Sequence, residues 1–235
     1  MFSVNHFIWI GISLVIILGL LFVSLKFKFS SRTVLIIMTG IAFASELLKI
    51  FTHIDYYEES KSYYISAGSL PLHLCSIFVF LYPFLLFNKN KELEAKLISF
   101  FVPIGLFGGL LAILLATSGV NFARPYAYQC FIYHSGMVFV SLYYICTKQV
   151  DLGLKAYLRN LIILFALAIL MIWVNGALRV YETNFFFVCR PPQDNLPILN
   201  LNHGWHVYFL SLCMTGLLLE TLVSLPYIIK ERRNK

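Results

Sequence analysis

The sequence predicts an all-α fold: a polytopic membrane helix bundle of about seven transmembrane helices, amino terminus outside and carboxyl terminus cytoplasmic. Three observations lead there. The 235 residues are 60% apolar and only 12% charged, whereas soluble domains carry roughly 25% charged residues. The apolar residues gather into runs of membrane-spanning length. The basic residues fall in blocks between alternate runs.

The runs lie at about 7–26, 33–52, 69–87, 97–116, 129–147, 161–179 and 205–229, each close to the ~20 residues that a helix needs to cross hydrocarbon. Residues 1–6 contain no Lys or Arg, and basic residues follow the first run. It is therefore expected to be a retained span rather than a cleaved signal. Pro83, Pro103 and Pro226 fall within the third, fourth and seventh runs, where neighbouring helices can satisfy the freed carbonyls. Gly105, Gly108 and Gly109 in the fourth are expected to permit close helix packing. No linker divides the chain, so residues 1–235 are read as one bundle.

Charge orients it. Lys26, Lys28 and Arg32 follow the first run, and Lys89, Lys91 and Lys96 the third. Lys148, Lys155 and Arg159 follow the fifth, and Lys230, Arg232, Arg233 and Lys235 the last. The opposite side has Lys61, Arg124, Arg179 and Arg190. The positive-inside rule puts the heavily basic side in the cytoplasm. The net charge of +7 is thus topological anchoring, not a nucleic-acid surface. Richness in Lys, Asn, Ile and Phe points to an AT-rich bacterial genome, and so to a multi-pass protein of a bacterial plasma membrane.

Ionisable groups inside spans are costly and are candidates for function. Glu46 and Lys49, at i and i+3, share one face of the second span and can pair. At 1.5 Å rise per residue, Glu46 is about 10 Å below the outer end, His73 and Cys75 about 6 and 9 Å, and His134 about 8 Å. Asn175 is about 6 Å below Arg179 at the end of the sixth span. Gln129 opens the fifth span, and His203 and His206 open the seventh. All six histidines, with His6 and His53, are on the outer side, while the inner halves read as almost purely apolar. A polar pocket opening toward the outer leaflet is expected. The segment 180–204, with Phe185, Phe186 and Phe187, is expected to cap it.

Each residue also has a structural explanation. Glu46 and Lys49 form a plausible buried pair, His53 a loop residue, His203 and His206 interfacial residues, Asn175 an interhelical bridge. The five cysteines contain no CxxC, and most suit small apolar filling. His134 needs a partner. If the third and fifth spans touch, it can act as base for Cys75, with Glu46 or Asn175 orienting the ring and Lys49 or Arg179 holding an oxyanion. An acyl ester of a membrane phospholipid or acyl-lipid would be within reach, and acyl transfer through a thioester fits. No cofactor is required.

Leu70-Pro71-Leu72-His73-Leu74-Cys75 resembles the YwaF-type family of integral membrane proteins. So do Gln129-Cys130-Phe131-Ile132-Tyr133-His134 and Asn184-Phe185-Phe186-Phe187 followed by Pro191-Pro192. The likeness spans about residues 40–215, the extent expected of a shared bundle. The broader family includes a eukaryotic transmembrane acyltransferase that moves polyunsaturated acyl chains between phospholipids. The resemblance implies Cys75 as the acyl-accepting thiol and His134 as its base. Gln193-Asp194-Asn195-Leu196 and Asn202-His203-Gly204-Trp205 depart from the family's usual entry to the last helix.

Two alternatives stay open. A metal-dependent lipid hydrolase would gather zinc ligands from His73, His134, His203 and His206. A transporter or small-ligand binder would use Glu46 and Lys49, but usually needs polar groups in the inner half too. The seventh span has no lysine before Lys230, which disfavours a retinal pigment.

Overall fold

The computed structural model describes residues 2–57, 61–115, 119–193 and 196–233. Among them are seven α-helices: α1 Val4–Lys26, α2 Ser31–Thr52, α3 Ile77–Phe87, α4 Lys91–Leu115, α5 Pro125–Cys146, α6 Leu154–Ala177 and α7 Trp205–Arg233. Five of these, α1, α2, α4, α6 and α7, are long and apolar enough to cross a membrane.

The remaining two, α3 and α5, differ from these five. The third was expected to begin at 69, but α3 starts at Ile77, because Ala67–Ser69 form a 3-10 turn and 70–76 are irregular. Pro71 cannot donate a backbone hydrogen bond, and it biases Leu70 away from helical angles. α5 is long enough but too polar, with Gln129, His134, Ser135 and Ser141 along it. It tolerates them because it is the most enclosed helix, with 14 residues buried; α4, α1 and α2 all pack on it. Shielded by protein, it has little lipid to satisfy.

A two-stranded antiparallel hairpin, β1 Ile54–Tyr57 and β2 Ser62–Ile65, joins α2 to the turn segment. Tyr and Ile, residues suited to a pleated surface, recur in both strands. The expected end of the fourth span at 116 lies outside the described residues. α6 begins at Leu154 instead of 161, which brings Arg159 and Asn160 inside the helix.

α4 and α5 approach closely through glycine. A Cβ on Gly109 would be 2.8 Å from the His134 carbonyl oxygen and 2.7 Å from Val138 Cγ2. One on Gly105 would meet Ser141 Oγ at 2.6 Å. Gly136 does the same for α2, where Met38 Cε fills the space a Cβ would take. Gly108, expected to share this role, has open space beside it. Without a hydrophobic force between helices in lipid, such backbone approach supplies much of the packing attraction.

α1 is fixed at its amino-terminal end by buried polar contacts. His6 Nε2 is 2.9 Å from the Ile113 carbonyl, so it donates, and Nδ1 accepts from the Phe2 amide at 3.1 Å. Trp9 donates to the Val120 carbonyl and stacks on Phe131 with ring centroids 4.8 Å apart. His6 is thus a structural bridge between α1 and α4.

Gly109→Ala should lower the thermal unfolding midpoint in detergent, through overpacking of roughly 1–3 kcal/mol. Gly108→Ala should be neutral or slightly stabilising, since alanine is the better helix former. Equal effects of the two would contradict this packing.

Candidate functional site

Three elements bring most of the expected residues together. From α2, Lys49 Nζ is 2.6 Å from Glu46 Oε1 and donates to Ser76 Oγ at 3.3 Å. The ion pair therefore ties α2 to the irregular segment carrying His73 and Cys75. From α5, the Tyr133 hydroxyl donates to the Cys75 carbonyl at 2.7 Å, and Gln129 Nε2 donates to Ser45 Oγ on α2 at 2.6 Å. The segment before α3 does touch α5, through Tyr133 and Cys75. Cys75 is half-buried and its thiol is free.

His134 is 8% exposed. Its Nδ1 is 2.7 Å from the Cys130 carbonyl oxygen, one turn earlier. A carbonyl only accepts, so Nδ1 carries a proton, and in the neutral form of the ring the lone pair is at Nε2. Cys130 Sγ is 3.5 Å from the same Nδ1. That contact cannot activate Cys130, because a protonated nitrogen takes no proton from a thiol. Cys130 is also only 1% exposed. The hydrogen bond that orients His134 thus comes from the backbone of its own helix. Neither Glu46 nor Asn175, the expected orienters, is its Nδ1 partner.

The cap folds over this group. His73 packs edge-on against Phe185, ring centroids 5.2 Å apart, and beside Phe187 at 5.8 Å. Asn175 is committed to the cap: its Nδ2 donates to the Phe185 carbonyl at 3.1 Å and its Oδ1 accepts the Phe185 amide at 2.9 Å. Asn184 closes the next turn, accepting from the Cys189 and Arg190 amides and donating to the Arg190 carbonyl. Phe186 and Phe187 hold φ of 58° and 55°, an uncommon left-handed backbone for bulky residues that its surroundings must impose. Trp205 Nε1 donates to the Val188 carbonyl at 2.9 Å, and the Tyr208 hydroxyl to that of Phe187. In the cap, burial pushes the Cys189 thiol above its usual range, and Arg190 only partly opposes this. Cys189 is thus a poor nucleophile. The departure noted at Asp194 and Asn195 lies outside the described residues.

A family model described as the TMEM164 family matches residues 1–224. The chain belongs to the TMEM164 family. No curated protein and no solved structure matches it. Membership makes it a membrane protein of a transmembrane family, in keeping with its five long apolar helices.

Other expected residues of this TMEM164 family member stand apart. Arg179 is exposed in a 3-10 turn after α6. His203 and His206 are exposed at the start of α7, where His206 packs against Trp205. His53 bonds back to the Lys49 carbonyl at 2.8 Å. Among the described residues, no three His, Cys, Asp or Glu side chains gather where a metal could bind. The zinc set of His73, His134, His203 and His206 is therefore not assembled.

The half of the bundle toward its basic end is not purely apolar, which corrects the sequence reading. Glu220 on α7 is 4% exposed, and Asn160 on α6 is 2% exposed. Asn160 Nδ2 donates to Glu220 Oε1 at 3.0 Å and to the Ser99 carbonyl at 2.7 Å. Arg159 donates to the Ser99 hydroxyl. One turn past Glu220, the Ser224 hydroxyl is fully buried and has no hydrogen-bond partner among the described residues. Glu220 is the one charged residue in the run Leu217–Leu225, and that signal alone marks it as an intramembrane ionisable residue.

Asn175→Leu should leave the Phe185 amide and carbonyl unpaired in an apolar setting, at roughly 1–3 kcal/mol each. Maleimide labelling of Cys75, followed by peptide mass spectrometry, should accelerate as the cap loosens, with helical content unchanged. An unaltered rate would mean that the cap does not cover the thiol.

Proposed function

We propose that the protein is a membrane lipid acyltransferase or acyl hydrolase in which Cys75 takes the acyl group and His134 is the base. One observation supports this above the others. In its neutral form His134 keeps its proton on Nδ1 and its lone pair on Nε2, on the helix whose Tyr133 holds the Cys75 backbone. Of the two cysteines in this region, Cys75 is the accessible one. The resemblance of Leu70–Cys75 to the YwaF-type family and its acyltransferase relative supports the same assignment.

In the first step, Cys75 Sγ attacks the acyl carbonyl of a phospholipid as its proton passes to His134 Nε2. The ester bond breaks, the proton moves to the departing lipid alkoxide, and a thioester forms. A second alcohol, or water, then attacks the thioester and restores the thiol. A transferase uses a lysolipid for that step and a hydrolase uses water. Lys49, held beside Ser76, is the cation proposed to meet a developing oxyanion or lipid phosphate, and Gln129 braces α2 against α5.

The Glu220–Asn160 pair favours a second reading, a transporter or small-ligand binder with polar groups in both halves.

Intact-protein mass spectrometry after incubation with phospholipid or acyl-CoA separates them. Wild type should carry a hydroxylamine-labile acyl adduct that Cys75→Ala abolishes. His134→Gln should slow its formation by roughly 10²–10⁴-fold, the usual value of a general base. An adduct that survives Cys75→Ala, or none from any donor on folded protein, defeats the acyl reading. Altered solute uptake in Glu46→Gln and Glu220→Gln, with no effect of Cys75→Ala, would favour transport.

A further inference from the structure

The basic end of the bundle carries a cavity of about 620 Å³ between the start of α2, the end of α3 and the start of α4. Arg32, Lys89 and Lys91 line it, with Glu94 the acid among them. Leu35, Leu85, Leu86 and Phe87 add an apolar lining, of which Phe87 is the most exposed. We propose that this cavity binds the headgroup and glycerol region of an anionic phospholipid.

The charge balance comes first. Lys91 Nζ is 2.7 Å from Glu94 Oε2, which leaves Arg32 and Lys89 to face a ligand with two net positive charges. The first turn of α2 opens onto the same cavity. Its Ser30 hydroxyl accepts the Thr33 amide, and the leading amides of a helix attract an anion. Ser31, whose hydroxyl donates to Gln149 Oε1 at 2.6 Å, ties this turn to the segment that follows α5. Arg32 offers the planar fork that suits phosphate oxygens.

The apolar side distinguishes a lipid from a free anion. Leu35 and Leu85 are buried, but Phe87, at the rim, is 80% exposed. Acyl chains can leave the cavity past Phe87 into hydrocarbon while the phosphate stays on the basic rim. The volume is within the range of roughly 300–1,000 Å³ typical of small-molecule sites, far above what one phosphate fills. This is not the Cys75 site. Cys75 precedes α3 and the cavity lies at that helix's other end, about 16 Å away along an 11-residue helix. The proposal therefore needs no acyl chemistry.

Native mass spectrometry of the purified full chain in detergent tests it, with phosphatidylglycerol against phosphatidylcholine of the same chains. Wild type should retain phosphatidylglycerol at least roughly tenfold better, each cation near a membrane surface contributing about fivefold. Arg32→Gln/Lys89→Gln/Lys91→Gln should abolish the preference. Lys148→Gln/Lys155→Gln/Lys230→Gln, which removes equal charge elsewhere on that end, should keep it. If the first variant does not fold, Arg32→Gln alone should lower the preference by roughly fivefold. Equal loss in both triple variants would mean diffuse surface charge and overturn the proposal. Displacement of the lipid by millimolar inorganic phosphate would make the site one for a free anion, and an absence of preference in wild type would remove it.

Discussion

Backbone that leaves the helix within a membrane bundle must find all its hydrogen bonds in the protein, since hydrocarbon supplies none. In two irregular stretches of this chain, side chains of the neighbouring helices supply such partners. The turn segment before α3 has its Cys75 carbonyl met by the Tyr133 hydroxyl and its Ser76 hydroxyl by Lys49. The cap has both backbone groups of Phe185 met by the single amide of Asn175. Side chains that resemble catalytic apparatus in the sequence are partly there to hold such backbone. The turn segment in turn presents a half-buried thiol without regular helix around it, which leaves the Cys75 side chain reachable.

The same constraint explains the character of α5. A helix surrounded by α1, α2 and α4 can carry Gln, His and Ser residues that a lipid-facing helix cannot, and it becomes the natural bearer of a site. The cost is tight packing. Gly109 lets α4 rest directly on the carbonyl of His134, the residue whose Nδ1 is already fixed by Cys130. Ring orientation and helix packing are therefore coupled within one turn of α5. On the other side of the bundle, Glu220 is held by Asn160 alone among the described side chains, and a buried carboxyl so lightly supported is expensive to keep. Such groups persist in membranes where they serve function.

Depth was the most informative quantity in the sequence. Counting residues from the ends of apolar runs placed Glu46, Lys49, His73, Cys75 and His134 in one layer, and the structure brings α2, the turn segment and α5 together. Counting could not give azimuth. It therefore could not reveal that His134 bonds its own helix, or that Asn175 faces the cap. Glu220 and Asn160 were missed for a related reason. The apolar run 161–179 begins just after Asn160, and Glu220 is a lone acid in a leucine-rich stretch of the seventh run.

The sequence alone determined that this chain is a helical membrane protein with a basic end, because composition and run length are local properties that lipid constrains directly. It also marked the Leu70–Cys75 element and the phenylalanine cap as exceptional. Tertiary structure decided which side chains meet. A hydrogen bond depends on the rotation of each helix about its axis and on close approach at Gly105, Gly109 and Gly136. Those are settled by packing of several helices at once, and no single segment encodes them.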